Sequence, residues 1–283
     1  MEIKSLGNTD FETLFNAFDR AFADYDLQLT KLQFKAMLRR RGFDPNLSFA
    51  AFDGMDIVAF TCNGIGNFNG IPTAYDTGTG TLQEYRGKGL ATRIFEYSIP
   101  YLKEAGIGQY LLEVLQHNTK AVSVYRKLGF EVSREFYYFV QENDLIKHET
   151  KNPGFAYSLR QIDMEELSRL SGFRDFPPSW QNSSESIARA ADDFISLGIV
   201  DGEVLAGYCI FEPASGDITQ IAVDENYRRK GVASLLLEEM LKRNRYNSVK
   251  IINTDIRCES ITRFLETKNI GITGKQFEMI KTV

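Results

Sequence analysis

Tyr85-Arg86-Gly87-Lys88-Gly89-Leu90-Ala91 recurs as Tyr227-Arg228-Arg229-Lys230-Gly231-Val232-Ala233, an offset of 142 residues (228 − 86) in a chain of 283. Each copy follows a stretch that reads as a strand and opens one that reads as a helix. The first turn of a helix presents unpaired N–H groups and a partial positive charge, so such a turn is a ready site for a phosphate. A glycine there lets an anion approach the backbone with no Cβ in the way. One such turn is merely a tight connection. Two at the same place in the order of elements predict a fold built twice.

The flanking sequence supports the duplication. In the first half a strand over Glu2–Leu6 precedes a capping box at Thr9 and Glu12. Phe11, Leu14, Phe15, Phe18, Phe22 and Tyr25 then recur at helical spacing. A second helix is expected from Leu32 to Arg41, stopped by Gly42. A hairpin over Ser48–Phe52 and Ile57–Asn63 turns at Asp53-Gly54, and a loop over Gly64–Gly70 leads to a strand near Thr73–Thr81. After the turn, a helix reaches about Glu104 with a kink expected at Pro100. Tyr110–Leu115 reads as a strand, Thr119–Leu128 as a helix and Glu131–Val140 as one or two strands. A polar linker is expected over Gln141–Pro153. The second half repeats this order, with a hairpin around Asp201-Gly202, a strand over Asp217–Val223 and a helix over Val232–Lys242. The expected organisation is two α/β (α+β) domains, 1–145 and 153–283, each a mixed, largely antiparallel sheet flanked by helices.

Composition bounds the function. Split at residue 150, the halves carry 16 Lys+Arg against 19 Asp+Glu and 17 against 19, so neither is basic and general nucleic-acid binding is not expected. Cys62, Cys209 and Cys258 have no metal-ligand spacing, and His117 and His148 are the only imidazoles, so no metal is expected. No apolar run approaches the roughly 20 residues of a membrane span, and no signal-peptide pattern opens the chain. A cytoplasmic protein with reduced thiols is the expectation. Gly87-Lys88 does not complete a nucleotide-binding P-loop, whose first glycine falls on Leu82. Gly64-x-Gly66 precedes no helix and so makes no dinucleotide fingerprint.

Arg86-x-x-Gly89-x-Ala91 and Arg228-x-x-Gly231-x-Ala233 resemble the acetyl-CoA pyrophosphate signature of GCN5-related N-acetyltransferases. Leu111–Leu115, then Asn118-x-x-Ala121, then Tyr125-Arg-Lys-Leu-Gly-Phe130 resemble that family's second motif, spacing included. The likeness spans the chain as a tandem pair. It implies that the backbone of Arg86, Gly87, Lys88, Gly89, Leu90 and Ala91 cradles the pyrophosphate and that Thr81 and Leu82 pair with the pantetheine arm. Asn118 would steady acetyl-CoA across a sheet splayed between two parallel strands. Tyr125 would act as general acid at the thioester sulfur. A phenol near pKa 10 protonating a thiolate near 8.5 works uphill by about 2 kcal/mol, so Tyr125 is better read as a hydrogen-bond donor that strengthens as charge develops. Glu113, in an apolar strand, is the first candidate for the base and Asp76 its rival; a structural carboxylate is the bland reading of either. Phe22 and Tyr25 match the family's acceptor-lining region, though core packing accounts for Phe22 as well.

In the second half Ile221, Val223, Arg228, Arg229, Lys230, Gly231, Val232 and Ala233 are the matching cofactor positions. Aligning Leu111 with Ile251 puts Cys258 at Asn118, Leu265 at Tyr125, and Asn269 and Ile270 at Gly129 and Phe130. The acid is missing there. The resemblance implies acetyl transfer from acetyl-CoA to a primary amine of a small molecule or peptide, with the chemistry in the first half. The alternative is a CoA-binding or sensing protein that does not catalyse. Trp180 reads as a cleft or loop-stiffening residue, Arg39–Arg41 as a solvated helix end and His117 as positional.

Overall fold

The structure, a computed structural model, describes residues 1–25, 28–149 and 152–283. Its contacts divide the chain into two units, Met1–Arg134 with Phe277–Val283, and Glu135–Gln276. This differs from the boundary expected between 145 and 153, because the last residues of the chain return to the first unit. Within the expected linker, Thr150 and Lys151 lie outside the described residues, and Gln141 and Glu142 end a strand.

The first unit runs β1 (Glu2–Ser5), α1 (Phe11–Ala21), α2 (Lys31–Arg41), β2 (Phe49–Asp53), β3 (Asp56–Phe68), β4 (Ile71–Thr81), α3 (Leu90–Glu104), β5 (Gln109–Leu115) and α4 (Thr119–Lys127), then enters β6 (Glu131–Glu142). Its strands lie in the order β1-β2-β3-β4-β5, and the closing stretch Phe277–Thr282 lies beside β5. α1 forms because Leu14, Phe15 and Phe18 make one apolar stripe, buried against Phe34 and Phe60. Its cap is Asp10, which accepts the Thr13 N–H at 2.9 Å, rather than the expected Thr9 box. The carboxylate also suits the positive end of the helix. A capping box does form at Thr30 and Gln33, before α2, and Gly42 ends that helix in the left-handed region. Phe22 caps α1 and Tyr25 lies beyond it. α3 continues through Pro100.

The stretch Gly64–Gly70, expected as a loop, mostly belongs to β3, which pairs with β4 as far as Phe68↔Ile71. Gly64 is there for space: a Cβ would stand 2.0 Å from the Arg41 carbonyl oxygen. The turn itself is Asn69-Gly70, both with positive φ, as a tight hairpin requires.

The second unit takes the rest of β6, then β7 (Tyr157–Gln161), α5 (Met164–Arg169), α6 (Ser184–Arg189), β8 (Ile195–Asp201), β9 (Val204–Glu212), β10 (Asp217–Val223), α7 (Val232–Arg243), β11 (Ser248–Asp255), α8 (Glu259–Thr267) and the start of β12 (Ile272–Thr282). Its sheet runs β6-β11-β10-β9-β8-β7. β4 pairs parallel with β5 and β10 with β11, whereas β1–β2, β2–β3, β3–β4, β6–β11, β7–β8, β8–β9 and β9–β10 pair antiparallel. No helix among the described residues is long and apolar enough to cross a membrane.

Candidate active site

The parallel pairs are short, and that shortness leaves a gap between the two strands of each pair. β4 meets β5 only at Thr73↔Gln109, Ala74↔Tyr110 and Tyr75↔Leu111, so the strands part beyond Tyr75. β10 meets β11 only at Asp217↔Lys250. From there on, the backbone edge facing the gap lacks a strand partner and can hydrogen-bond a ligand. Both strands also carry a bulge at the same place. Thr77 is the extra residue of β4 and Thr219 that of β10, again 142 residues apart (219 − 77).

The two turns share their conformation and supports. Gly89 and Gly231 precede α3 and α7 with φ of 71° and 89°. Gly87 is matched by Arg229, which takes φ of 64° despite its side chain. Leu90 and Val232 are buried, pinning the helix starts to the core while their backbone N–H groups stay in the open first turn. Arg86 Nε donates to the Thr81 carbonyl at 3.2 Å, and Arg228 Nε to the Val223 carbonyl at 3.2 Å. The Arg86 guanidinium grips Asp24 at 2.5 and 2.6 Å, and that of Arg228 meets Asp175 at 2.8 Å. The Arg86 hydrogen bond holds the Asp24 carboxyl below its usual range. Tyr85 donates to Asp53 and Tyr227 to Asp201, each at the hairpin turn of its own unit. Lys88 and Lys230 lie over those tyrosine rings, at 4.6 and 5.1 Å. The arginines therefore shape the turns, which leaves the backbone N–H groups of the helix starts as the groups that could meet an anion.

At the splay of the first unit, Tyr125 on α4 donates to Asp76 Oδ2 at 3.1 Å. Thr79 donates to the same carboxylate at 3.0 Å. Asp76 is 9% exposed, and burial pushes its pKa up to about 6 against the opposing Thr79 and Tyr125 hydrogen bonds. Burial, then the Asp76 charge, pushes the Tyr125 phenol well above 10. Glu113 stands elsewhere. Its Oε2 accepts from Tyr75 at 2.9 Å, and by strand alternation it faces away from Leu112 and Val114, which share the Tyr125 cluster. Asn118 is the N-cap of α4, accepting the Ala121 N–H at 3.2 Å. Leu82 is buried and its N–H donates to Val58, whereas Thr81 stays half-buried at the edge. Phe22 packs on the core against Phe18, and Tyr25 is exposed, edge-on to Phe22 at 5.1 Å.

The second unit keeps the frame and carries different side chains on it. Its splay opens into a cavity of about 720 Å3 lined by Ile221 and Val223 of β10, Arg228, Arg229, Gly231, Val232 and Ala233 of the turn, and Cys258 and Phe264 of α8. Cys258 takes the N-cap position of Asn118 without a side-chain cap bond. Leu265, at the Tyr125 position, is core, and Ile218 stands where the turn offset places Asp76 (76 + 142). Asn269 holds the positive φ of Gly129, and Ile270 the buried place of Phe130. Trp180 is buried, with Arg189 over its ring. The three cysteines are buried and free, and His117 is exposed. Asp76, Thr79 and the Asp24 and Asp175 clamps carry no local sequence signal beyond polarity, which is why Glu113 ranked first.

The Acetyltransferase (GNAT) family matches residues 11–130 and 157–255. The chain belongs to that family. N-alpha-acetyltransferase 30 of Schizosaccharomyces pombe is 28% identical over 106 residues, covering 37% of this chain and 71% of that protein. The mycothiol acetyltransferase of Catenulispora acidiphila is 29% identical over 118 residues, covering 39% of this chain but only 37% of the relative. A tandem GNAT protein from the clavulanic acid biosynthesis pathway superposes with a TM-score of 0.75 at 14% identity, covering 99% of this chain and 98% of that one. At that identity the likeness is one of fold. The GNAT chain described here is thus a tandem acetyltransferase-family enzyme.

Proposed function

We propose that the first unit transfers an acetyl group from acetyl-CoA to a primary amine of a small molecule or peptide, with Asp76 and Tyr125 moving the proton. The second unit, in this reading, binds CoA without that chemistry. Acetyl-CoA supplies the activated acyl group; the chain holds it and handles the proton. The α3 turn carries the phosphates, the unpaired edge of β4 near Thr81 takes the pantetheine amides, and Asn118 lies across the gap. Holding the amine beside the acyl carbon is an entropy saving, and unpaired backbone N–H groups polarise the carbonyl.

The observation that carries the reading is the Tyr125–Asp76 contact at 3.1 Å. While Asp76 is ionised it occupies the Tyr125 proton, and Tyr125 is a poor acid. Once Asp76 has taken a proton from the amine nitrogen, it can donate to the phenol oxygen, and Tyr125 releases its own proton to the departing sulfur. The proton lost at nitrogen is balanced by the one gained at sulfur. The names of the N-alpha-acetyltransferase and mycothiol acetyltransferase relatives are consistent with either a peptide or a small-molecule acceptor.

CoA thiol release with a panel of primary amines tests this. Tyr125→Phe should lose about 100-fold in turnover with acetyl-CoA affinity nearly unchanged. In wild type the rate should fall as pH drops through about 6, where Asp76 gains its proton. That limb should vanish in the slowed Asp76→Asn. Wild-type turnover in Tyr125→Phe, or an unchanged acid limb in Asp76→Asn, would refute the pair.

A further inference from the structure

The splay of the second unit is bridged on one side by a single residue. Asn182 accepts from Gln220 Nε2 of β10 at 2.6 Å through its main-chain carbonyl oxygen. Its own Nδ2 donates to the Ile252 carbonyl of β11 at 3.0 Å. Gln220 and Ile252 both lie beyond Asp217↔Lys250, where the strands have stopped pairing. Asn182 thus ties together two strands that have stopped pairing.

The bridge is reinforced. Tyr208 donates to Gln220 Oε1 at 2.9 Å, orienting its amide toward Asn182. Asn253, held at a positive φ within β11, donates to the Ser179 hydroxyl at 2.9 Å and accepts from Gln276 at 2.9 Å. Asn182 is 5% exposed and Ser179 fully buried, with Trp180 packed between them in sequence. A polar segment buried this completely is held in place by its bonds and costs heavily to open. Asn182 is among the residues that line the cavity leading to the α7 turn.

We propose that the second unit retains a CoA thioester and shields it from amine attack, with Asn182 closing the side by which a nucleophile would reach the acyl carbon. This rests on the reading that the α7 turn holds CoA. A ligand threaded from the turn puts its thioester at the inner end of the splay. The remaining approach to that carbon runs between β10 and β11, through the gap that Ser179 and Asn182 fill. Ile218 and Leu265 remove the proton-handling groups, and the Asn182 bridge removes access. The two losses together make a holding site for a CoA thioester.

The test uses hydroxylamine as a small nucleophile. Its nitrogen bonds to the acetyl carbon, the carbon–sulfur bond breaks, and the CoA sulfur leaves with a proton from nitrogen, giving acetohydroxamate. In Gly89→Glu, which disables the first turn, equilibrium dialysis should show acetyl-CoA still bound. The bound thioester should react about tenfold or more slowly than free acetyl-CoA. Adding Asn182→Ala, which removes the Ile252 arm, should raise the rate while binding persists, and combining it with Gln220→Ala, which removes the other, should bring the rate close to that of the free thioester. Gln220→Ala, which removes the other arm, serves if Asn182→Ala does not fold, and should also speed the reaction. A bound thioester that reacts at the free rate, or bridge variants that stay protected, overturn the shielding. No binding by Gly89→Glu overturns it together with the CoA reading of the second turn.

Discussion

Asp76 shows what one buried carboxylate does to its neighbours. Its folded pKa of about 6 lies above the ordinary 3.8, so folding favours its protonated form. The stability it contributes is therefore present below pH 4 and is lost as pH rises through 6. The shift corresponds to about 3 kcal/mol between those limits. Asp76→Asn, which cannot ionise, should gain stability relative to wild type as pH rises from 4 to 7, read as the difference in denaturant midpoints. A difference that stays flat across that range would contradict the burial argument. The candidate pair was half legible in the sequence. Tyr125 sits in a motif whose spacing announces it, whereas Asp76 and Glu113 are equivalent on paper. Only the β4 bulge at Thr77 and the facing of α4 decide which of them meets the phenol.

At the scale of elements, the duplicated turn was the most legible feature. Its glycines, its buried Leu90 and Val232 and its place between strand and helix follow from local sequence. Its clamps do not, because Asp24 and Asp175 come from distant loops. The unequal residue is Arg229, which holds the left-handed conformation that Gly87 adopts freely. Arg229→Gly should therefore stabilise the second unit by about 1 kcal/mol, measured by urea denaturation. A loss of stability would mean that the Arg229 side chain outweighs its backbone strain. The Gly64–Gly70 stretch illustrates the opposite case. Its glycine and asparagine content reads as a loop, yet Gly64 is a strand residue chosen for the close approach of Arg41.

For the molecule as a whole, the repeat was readable, but the membership of the last strand was not. Neighbouring elements usually pack together, and nothing in Phe277–Val283 names another sheet. In the first unit these residues bury Met279 and place Glu278, 1% exposed, against Arg134 at 2.5 Å, with Ser133 donating at 2.7 Å. Glu278→Ala leaves the Arg134 charge buried without that partner and should cost about 3–5 kcal/mol, seen as early loss of the first unit in thermal unfolding. An unchanged unfolding profile would show that these residues do not hold the first unit together.

The central claim is that the first unit catalyses and the second does not. Initial rates of CoA thiol release from acetyl-CoA, with one accepted amine, compared among wild type, Gly89→Glu and Gly231→Glu, test it most directly. Each variant sets bulk and negative charge where a phosphate should lie. The account predicts near-complete loss of turnover in Gly89→Glu and retained turnover in Gly231→Glu. Loss in Gly231→Glu with turnover kept in Gly89→Glu would contradict it and move the chemistry to the second unit.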